Sequence, residues 1–182
     1  MRLPKLEPAQ LNPEQRALWD KIASGPRGGV RGPYFALLHA PRLCAEFEPV
    51  VRFLRFECSV SERLRELSIL VVARHWKSQY EFFAHASIAK RAGIPPEVID
   101  AIRTGRSPEF VQDDERTVYE FVHELVTTGF ASDGHYRAAH RLLGDTAVVE
   151  LVALVGQYGA VALILNAFEI DVPEGAERPF AV

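Results

Sequence analysis

The chain contains few cysteines and no paired ones. Among its 182 residues are two, Cys44 and Cys58, and they form no C-x-x-C pair. No histidine lies near either thiol in the sequence to activate it. We therefore expect free thiols in a reducing compartment.

Charge and long apolar segments are also limited. The net charge is only -3, so nothing indicates a nucleic-acid or anionic-membrane surface. No apolar run approaches the roughly 18 residues of a membrane span, and the first ten residues lack the apolar core of a signal peptide. These absences predict a cytoplasmic protein without nucleic-acid or membrane partners.

Length and composition predict one domain over residues 1–182. Hydrophobic residues make up 48% of the chain and charged residues 25%, which is ordinary for a globular protein. We divide it into an N-terminal helix and loop (1–40), a core (41–168) and a tail (169–182). The tail has no periodicity, and we expect it to wrap a neighbouring subunit or to be loosely held.

Helical spacing of apolar residues runs through the chain, and no strand-like alternation of any length appears, so we predict an all-α fold. Asn12 with Gln15, and Ser59 with Glu62, have the pattern of capping boxes. The last helix is apolar almost all round and is predicted to be central. The predicted helices cover approximately residues 13–24, 41–58, 59–75, 79–91, 96–103, 114–128, 133–143 and 145–168.

Polar residues interrupt the apolar faces of two neighbouring helices. Glu66 lies in an otherwise apolar stretch, and Ser78, Glu81 and His85 fall on one face of the next helix. Glu81 and His85 are four residues apart, close enough to hydrogen-bond. Burial raises a carboxyl pKa and an imidazole titrates near neutrality, so Glu66, Glu81 and His85 together have the residue types for general acid–base catalysis.

Other interpretations of these residues stay open. A Glu-His pair at this spacing is often a satisfied helix pair, and a metal site from the same groups with His39 matches no known ligand spacing. Ser78 lacks the strand-to-helix elbow of a nucleophilic serine. In the loop from 25 to 33, Arg27 and Arg31 either meet an anionic ligand or are solvated, and the loop lacks the phosphate-binding P-loop pattern.

The same two helices carry a motif that resembles the carboxymuconolactone decarboxylase family, which shares its fold with the alkylhydroperoxidase AhpD. The motif reads Arg65-Glu66-Leu67-x-x-Leu70-x-x-Ala73-Arg74, then Tyr80-Glu81-Phe82-x-x-His85. The resemblance covers roughly residues 30 to 175. It implies an AhpD-like helical domain with a central antiparallel helix pair, homo-oligomers such as trimers or hexamers, and a site without metal or cofactor.

The resemblance also implies roles for individual residues. In the peroxidase branch a C-x-x-C pair works with an upstream Glu and a downstream His, but here Ser78 and Glu81 occupy the cysteine positions. The decarboxylase branch lacks the cysteines, and it implies proton transfer on a small carboxylated lactone or related acid. Glu66 and His85 are then the proton-transfer residues, and Glu81 tunes or orients His85. The expected substrate-binding residues are Ser78, Tyr80 and Arg74, with Arg27 and Arg31 as the alternative cations for the substrate acids.

Two rival functions remain from the sequence. One is an AhpD-like peroxidase or other redox protein that uses Cys44 or Cys58. The other is a non-catalytic oligomer that binds a small ligand.

Overall fold

Eight α-helices form the part of the chain that the computed structural model describes, residues 1–181. No strand occurs among these residues, so the predicted all-α class is confirmed. A 3₁₀ turn at Pro8–Gln10 precedes the helices. These are α1 (Pro13–Ser24), α2 (Tyr34–Leu37), α3 (Pro41–Phe56), α4 (Glu62–His75), α5 (Gln79–Arg91), α6 (Pro96–Thr104), α7 (Asp113–Thr128) and α8 (Asp133–Ala167).

The helix starts show which cap predictions hold. Asn12 Oδ1 accepts from Gln15 N at 2.9 Å and Gln15 Oε1 accepts from Asn12 N at 3.0 Å, which confirms the capping box of α1. The prediction for α4 is wrong by two residues, because Ser61 is its cap. Ser59 N instead donates to Glu150 Oε2 at 2.6 Å, which ties this turn to α8.

Of two further helix boundaries, one differs from prediction and one is confirmed. Gln112, and neither of the two following aspartates, caps α7. The two helices predicted over 133–143 and 145–168 are confirmed, because α8 consists of two helices that meet at a kink at Gly144 (φ 76°, ψ 176°). This positive φ suits glycine, because a Cβ there would crowd its own backbone. The second half of α8 is therefore redirected across the bundle.

The second half of α8 is unusually apolar. By length and composition α8 can cross a membrane, so the expectation that no apolar segment approaches this length is wrong. Its buried residues include Leu151, Leu154 and Tyr158, and they pack with the buried faces of α4 and α7. In this fold α8 therefore has the position of a core helix.

Helix α4 lies at the centre and packs against α5, α6, α7 and α8. Its buried stretch from Glu66 to Ala73 is enclosed on nearly all sides. Arg63 lies near Gly93 at one end, and Ser78 N donates to Ala73 O at the other, so α4 and α5 are antiparallel. A smaller apolar cluster joins α1, α2 and α3 and holds the loop between α1 and α2 over this pair.

The C-terminal tail folds back onto α5 of the same chain. Phe180 is buried, and its ring lies 5.1 Å from that of Phe82. Gln79 accepts from Phe180 N at 3.0 Å and donates to Phe180 O at 2.9 Å. The tail is therefore not loosely held at Phe180, while the expected contact with a neighbouring subunit stays a prediction. Val182 lies outside the described residues.

Candidate active site

A buried carboxylate–imidazole pair connects α4 and α5. Glu66 is 3% exposed and His85 is 4% exposed. His85 Nδ1 lies 2.6 Å from Glu66 Oε2, a short charge-assisted hydrogen bond. The antiparallel helix pair brings these side chains together although they are separated by 19 positions in the chain.

Burial sets the protonation state of His85. Desolvation lowers its pKa from the ordinary 6.5, and the attraction of Glu66 opposes this only in part. The ring is therefore neutral at neutral pH, with its proton on Nδ1 where Glu66 accepts it. Nε2 has no hydrogen-bond partner among residues 1–181, so it offers a lone pair. This is the arrangement of a general base whose orientation is fixed by an acid.

The structure contradicts one of the two roles predicted for Glu81, the orientation of His85 by a hydrogen bond. Neither of its carboxyl oxygens has a hydrogen-bond partner within the described chain, so Glu81 does not bond to His85 and does not orient it through a hydrogen bond. The hydrogen-bond partner of His85 is Glu66, which lies on α4. Burial raises the pKa of the Glu81 carboxyl well above its ordinary 4.5, which favours the protonated form.

Tyr158 extends this polar group from α8. Its ring stands edge-on to the His85 ring, with centroids 5.3 Å apart. Burial raises the pKa of the phenol, so the hydroxyl keeps its proton. The hydroxyl oxygen is buried and has no partner within residues 1–181.

These side chains line one cavity of about 340 Å³. The cavity lies between α3, α5, α8 and the loop that precedes α2. Its walls include His85, Glu81, Tyr158, Tyr80, Val51, Val161, Leu165, Pro173, Arg27, Arg31, Arg55 and Arg91. A small organic acid fits a space of this size.

The arginines of this cavity are not neutralised. No carboxylate in the described chain lies within 4.0 Å of Arg27, Arg31 or Arg55. Arg27 instead lies over the Tyr34 ring at 4.9 Å, and Arg31 donates to Gly28 O at 3.0 Å. Guanidinium groups that share a cavity without acidic partners favour an anionic guest.

A glycine allows the arginine loop to approach α5. A Cβ on Gly32 would lie 2.7 Å from a ring carbon of Tyr80, and Gly32 has φ +61°. Any side chain here would push the loop away from α5. The predicted pocket residue Tyr80 thus lines the cavity at the contact that holds Arg27 and Arg31 over it.

The other two predicted substrate-binding residues lie elsewhere. Arg74 is not in this cavity: its guanidinium is 5.3 Å from the Phe180 ring, and it lines a separate pocket of about 90 Å³. The helix turns Arg74 towards α6 and α7, away from His85. Ser78 is a fully buried residue at the start of α5, and its hydroxyl neither caps the helix nor forms part of the cavity wall.

Neither cysteine reaches the cavity wall. Cys44 and Cys58 are both free and buried. Burial raises the pKa of the Cys44 thiol to about 11, and the Cys58 thiol donates to Leu54 O at 3.1 Å. The metal-ligand set considered with His39 is not assembled, because the His39 ring contacts Pro4 O at 3.0 Å. Within residues 1–181 no three histidine, cysteine or acidic side chains are arranged to hold a metal ion.

Sequence reasoning missed two arginines. Arg55 reaches the cavity from α3, and its position one residue after the buried Leu54 was an available signal. Arg91 reaches the cavity from α5. Arg91 and Ser87 are exposed, and both also line the cavity.

A larger groove, of about 470 Å³, lies between α5, α6 and the tail. It contains Phe82, Phe83 and Ile99, and its Asp100 is paired with Arg103. It includes none of the buried titratable groups described above. Chemistry therefore favours the smaller cavity as the candidate site.

Comparisons with solved structures identify an AhpD-like fold. A crystal structure described as an alkylhydroperoxidase AhpD core, an uncharacterized peroxidase-related protein from Ralstonia eutropha JMP134, has a TM-score of 0.77 and 17% identity, with 95% of this chain and 92% of that chain covered. A cysteine-to-alanine variant of the debrominase Bmp8, in complex with 2,3,4-tribromopyrrole, has a TM-score of 0.72 and 14% identity, covering 94% and 90%. Neither the protein-family models nor the curated proteins give a match to this chain. The fold expected from the sequence motif is thus confirmed.

Proposed function

We propose that this protein is a cofactor-independent enzyme that transfers protons on a small carboxylated lactone or a related acid, with decarboxylation as its reaction. One observation carries the proposal: the 2.6 Å bond from buried His85 to Glu66 leaves Nε2 unpartnered in a cavity lined by arginines. A base, its orienting acid and an anion-binding wall are thereby combined in one water-poor space.

The side chains that line the cavity have separate roles in the proposed reaction. Arg27, Arg31 and Arg55 hold the substrate carboxylates. The bond between carbon and one carboxylate breaks, its electron pair moves onto the conjugated lactone carbonyl, and CO₂ leaves. His85 takes a proton from water at Nε2, which leaves hydroxide, and the resulting imidazolium delivers that proton to the dienolate carbon. The hydroxide combines with the released CO₂ to give hydrogencarbonate. Glu66 stabilises the transient imidazolium.

The fold comparisons alone support a peroxidase-related activity as well as they support decarboxylation. The side chains of the site therefore decide between these two activities. A thiol peroxidase needs an accessible thiolate. Both cysteines are buried away from the cavity, and Ser78 and Glu81 replace the C-x-x-C pair. These features favour proton transfer over thiol chemistry. A purely binding role remains the rival that an activity assay must exclude.

The test uses the purified protein without added metal, in deuterated water, with 4-carboxymuconolactone and related lactone acids. We expect CO₂ release and deuterium at the product carbon. His85→Ala should reduce the rate by about 10²–10⁴-fold, the usual contribution of a positioned base. His135→Ala is the matched control, because His135 pairs with Glu124 outside the cavity.

Two outcomes of this assay would contradict the proposal. A protein that binds the acids but releases no CO₂ and incorporates no deuterium is a binding protein. Turnover that survives His85→Ala but is lost when both cysteines are replaced by serine is thiol chemistry.

We further propose that the protein is a soluble, cytoplasmic homo-oligomer, a trimer or hexamer. The support is an apolar face on α8, where Val149 (68% exposed), Val152 and Leu163 are uncovered. A contiguous apolar face of this kind is typical of a subunit contact. Val152→Glu should lower the mass measured by light scattering after gel filtration. An unchanged mass would exclude this face as the contact.

A further inference from the structure

Glu81 and Tyr158 present an unusual combination. Both Glu81 carboxyl oxygens and the Tyr158 hydroxyl are buried and lack hydrogen-bond partners among residues 1–181. Both side chains line the cavity that contains His85. Buried polar groups are nearly always paired, so orphaned groups that share one cavity indicate a missing partner.

The charge states define what that partner must be. Desolvation raises the pKa of both the carboxyl and the phenol and so favours their protonated forms, in which each has one O–H to donate. Glu66 is engaged with His85. In the proposed function the arginines of the cavity bind the substrate carboxylates. The O–H groups of Glu81 and Tyr158 are then free to bind a different substrate atom. An oxygen that accepts two hydrogen bonds would satisfy both donors.

We propose that Glu81, as a neutral carboxylic acid, and Tyr158 together donate hydrogen bonds to the substrate oxygen that becomes negative during the reaction. This pair of donors stabilises an enolate oxygen, as paired donors do at other sites where charge develops. The inference rests on the proposed function and deepens it. It selects substrates in which a carbonyl is conjugated to the carbon that loses CO₂ or exchanges its proton.

If Glu81 were ionised rather than protonated, the glutamine variant would behave differently. An ionised Glu81 would act as a second base or would hold a cation, and replacement by glutamine would abolish that role. A neutral donor is replaced by glutamine without loss, because the amide N–H₂ also donates. Glu81→Gln and Glu81→Leu therefore separate the two roles.

The first experiment reads the protonation state directly. The infrared difference spectrum of wild type minus Glu81→Gln at neutral pH should contain a carboxylic-acid carbonyl band. A carboxylate band in its place would overturn the proposal. This measurement needs no turnover, so it remains decisive even if the proposed decarboxylation fails.

The second experiment measures binding of 4-hydroxy-3-nitrobenzoate, whose carboxylate suits the arginines and whose coloured phenolate stands in for an enolate. Each donor should contribute at least about tenfold in affinity, as expected for a hydrogen bond to a charged oxygen. Glu81→Leu and Tyr158→Phe should each weaken binding by that factor, while Glu81→Gln keeps it. Tyr119→Phe, outside the cavity, is the control.

Circular dichroism confirms that each variant is folded before binding is compared. Wild-type affinity in Glu81→Leu, or equal losses in Glu81→Gln and Glu81→Leu, would refute the donor role of Glu81. Wild-type affinity in Tyr158→Phe would refute that of Tyr158.

Discussion

Replacing Glu81 by leucine should stabilise the protein, although Glu81 faces the site. The wild-type carboxyl is 2% exposed and both its oxygens are unpartnered. A buried unsatisfied polar group costs about 1–3 kcal/mol, and leucine removes that cost while it fills similar space. For a chain of this size each kcal/mol raises Tm by about 2–4 °C, so we expect a gain of ~2–12 °C.

The matched control is Glu115→Leu. Glu115 is equally buried, at 1% exposure, but it is paired with Arg63. The same substitution there removes a charge-assisted bond and should cost about 1–3 kcal/mol. The two variants therefore shift Tm in opposite directions in calorimetry at one fixed protein concentration. A loss of stability in Glu81→Leu comparable to that in Glu115→Leu would refute the assignment of Glu81 as an unsatisfied group.

The gain in Glu81→Leu should also depend on pH. The folded-state pKa of Glu81 lies above the unfolded value of about 4.5, so as pH rises the unfolded chain loses its proton first. Wild type therefore loses stability relative to Glu81→Leu as pH rises past that value. The advantage of the leucine variant should be smaller in acid than at neutral pH, and the reverse trend would contradict a protonated carboxyl.

Three further outcomes are expected. The rate of deuterium exchange catalysed by His85 should stay level through neutral pH and fall only below the ordinary imidazole pKa of 6.5. Glu66→Gln should move this fall to lower pH, because it removes the attraction that raises the His85 pKa. A rate that falls as pH rises would contradict the role of His85 as a base. Arg55→Gln should weaken binding of a small dicarboxylate by about tenfold in calorimetry, whereas the exposed Arg42→Gln should not. Both cysteines should react with a thiol reagent only after unfolding, and fast labelling of native protein would reopen the redox alternative.

Local rules predicted the helices well where caps and apolar spacing agree. The start of α1 was predictable from Asn12 and Gln15, because a capping box is complete within four residues. The start of α4 failed because the choice between Ser59 and Ser61 depends on Glu150, which is distant in sequence. Local patterns do not contain such contacts.

The site shows the same division between local and tertiary information. The polar residues Glu66, Glu81 and His85 were recognisable because each interrupts an apolar face. Their pairing was not, since the Glu66–His85 bond joins two helices and Glu81 has no bond at all within the described chain. Arg55 joins the cavity only through the packing of α3 beside α8.

The most direct test of the account is the protonation of the His85 ring, observed by nitrogen NMR of the ¹⁵N-labelled protein at neutral pH, with His85→Ala used to assign the signals. We predict a neutral imidazole with its proton on Nδ1 and an unprotonated Nε2. An imidazolium, or a neutral ring with the proton on Nε2, would contradict the assignment of His85 as the base.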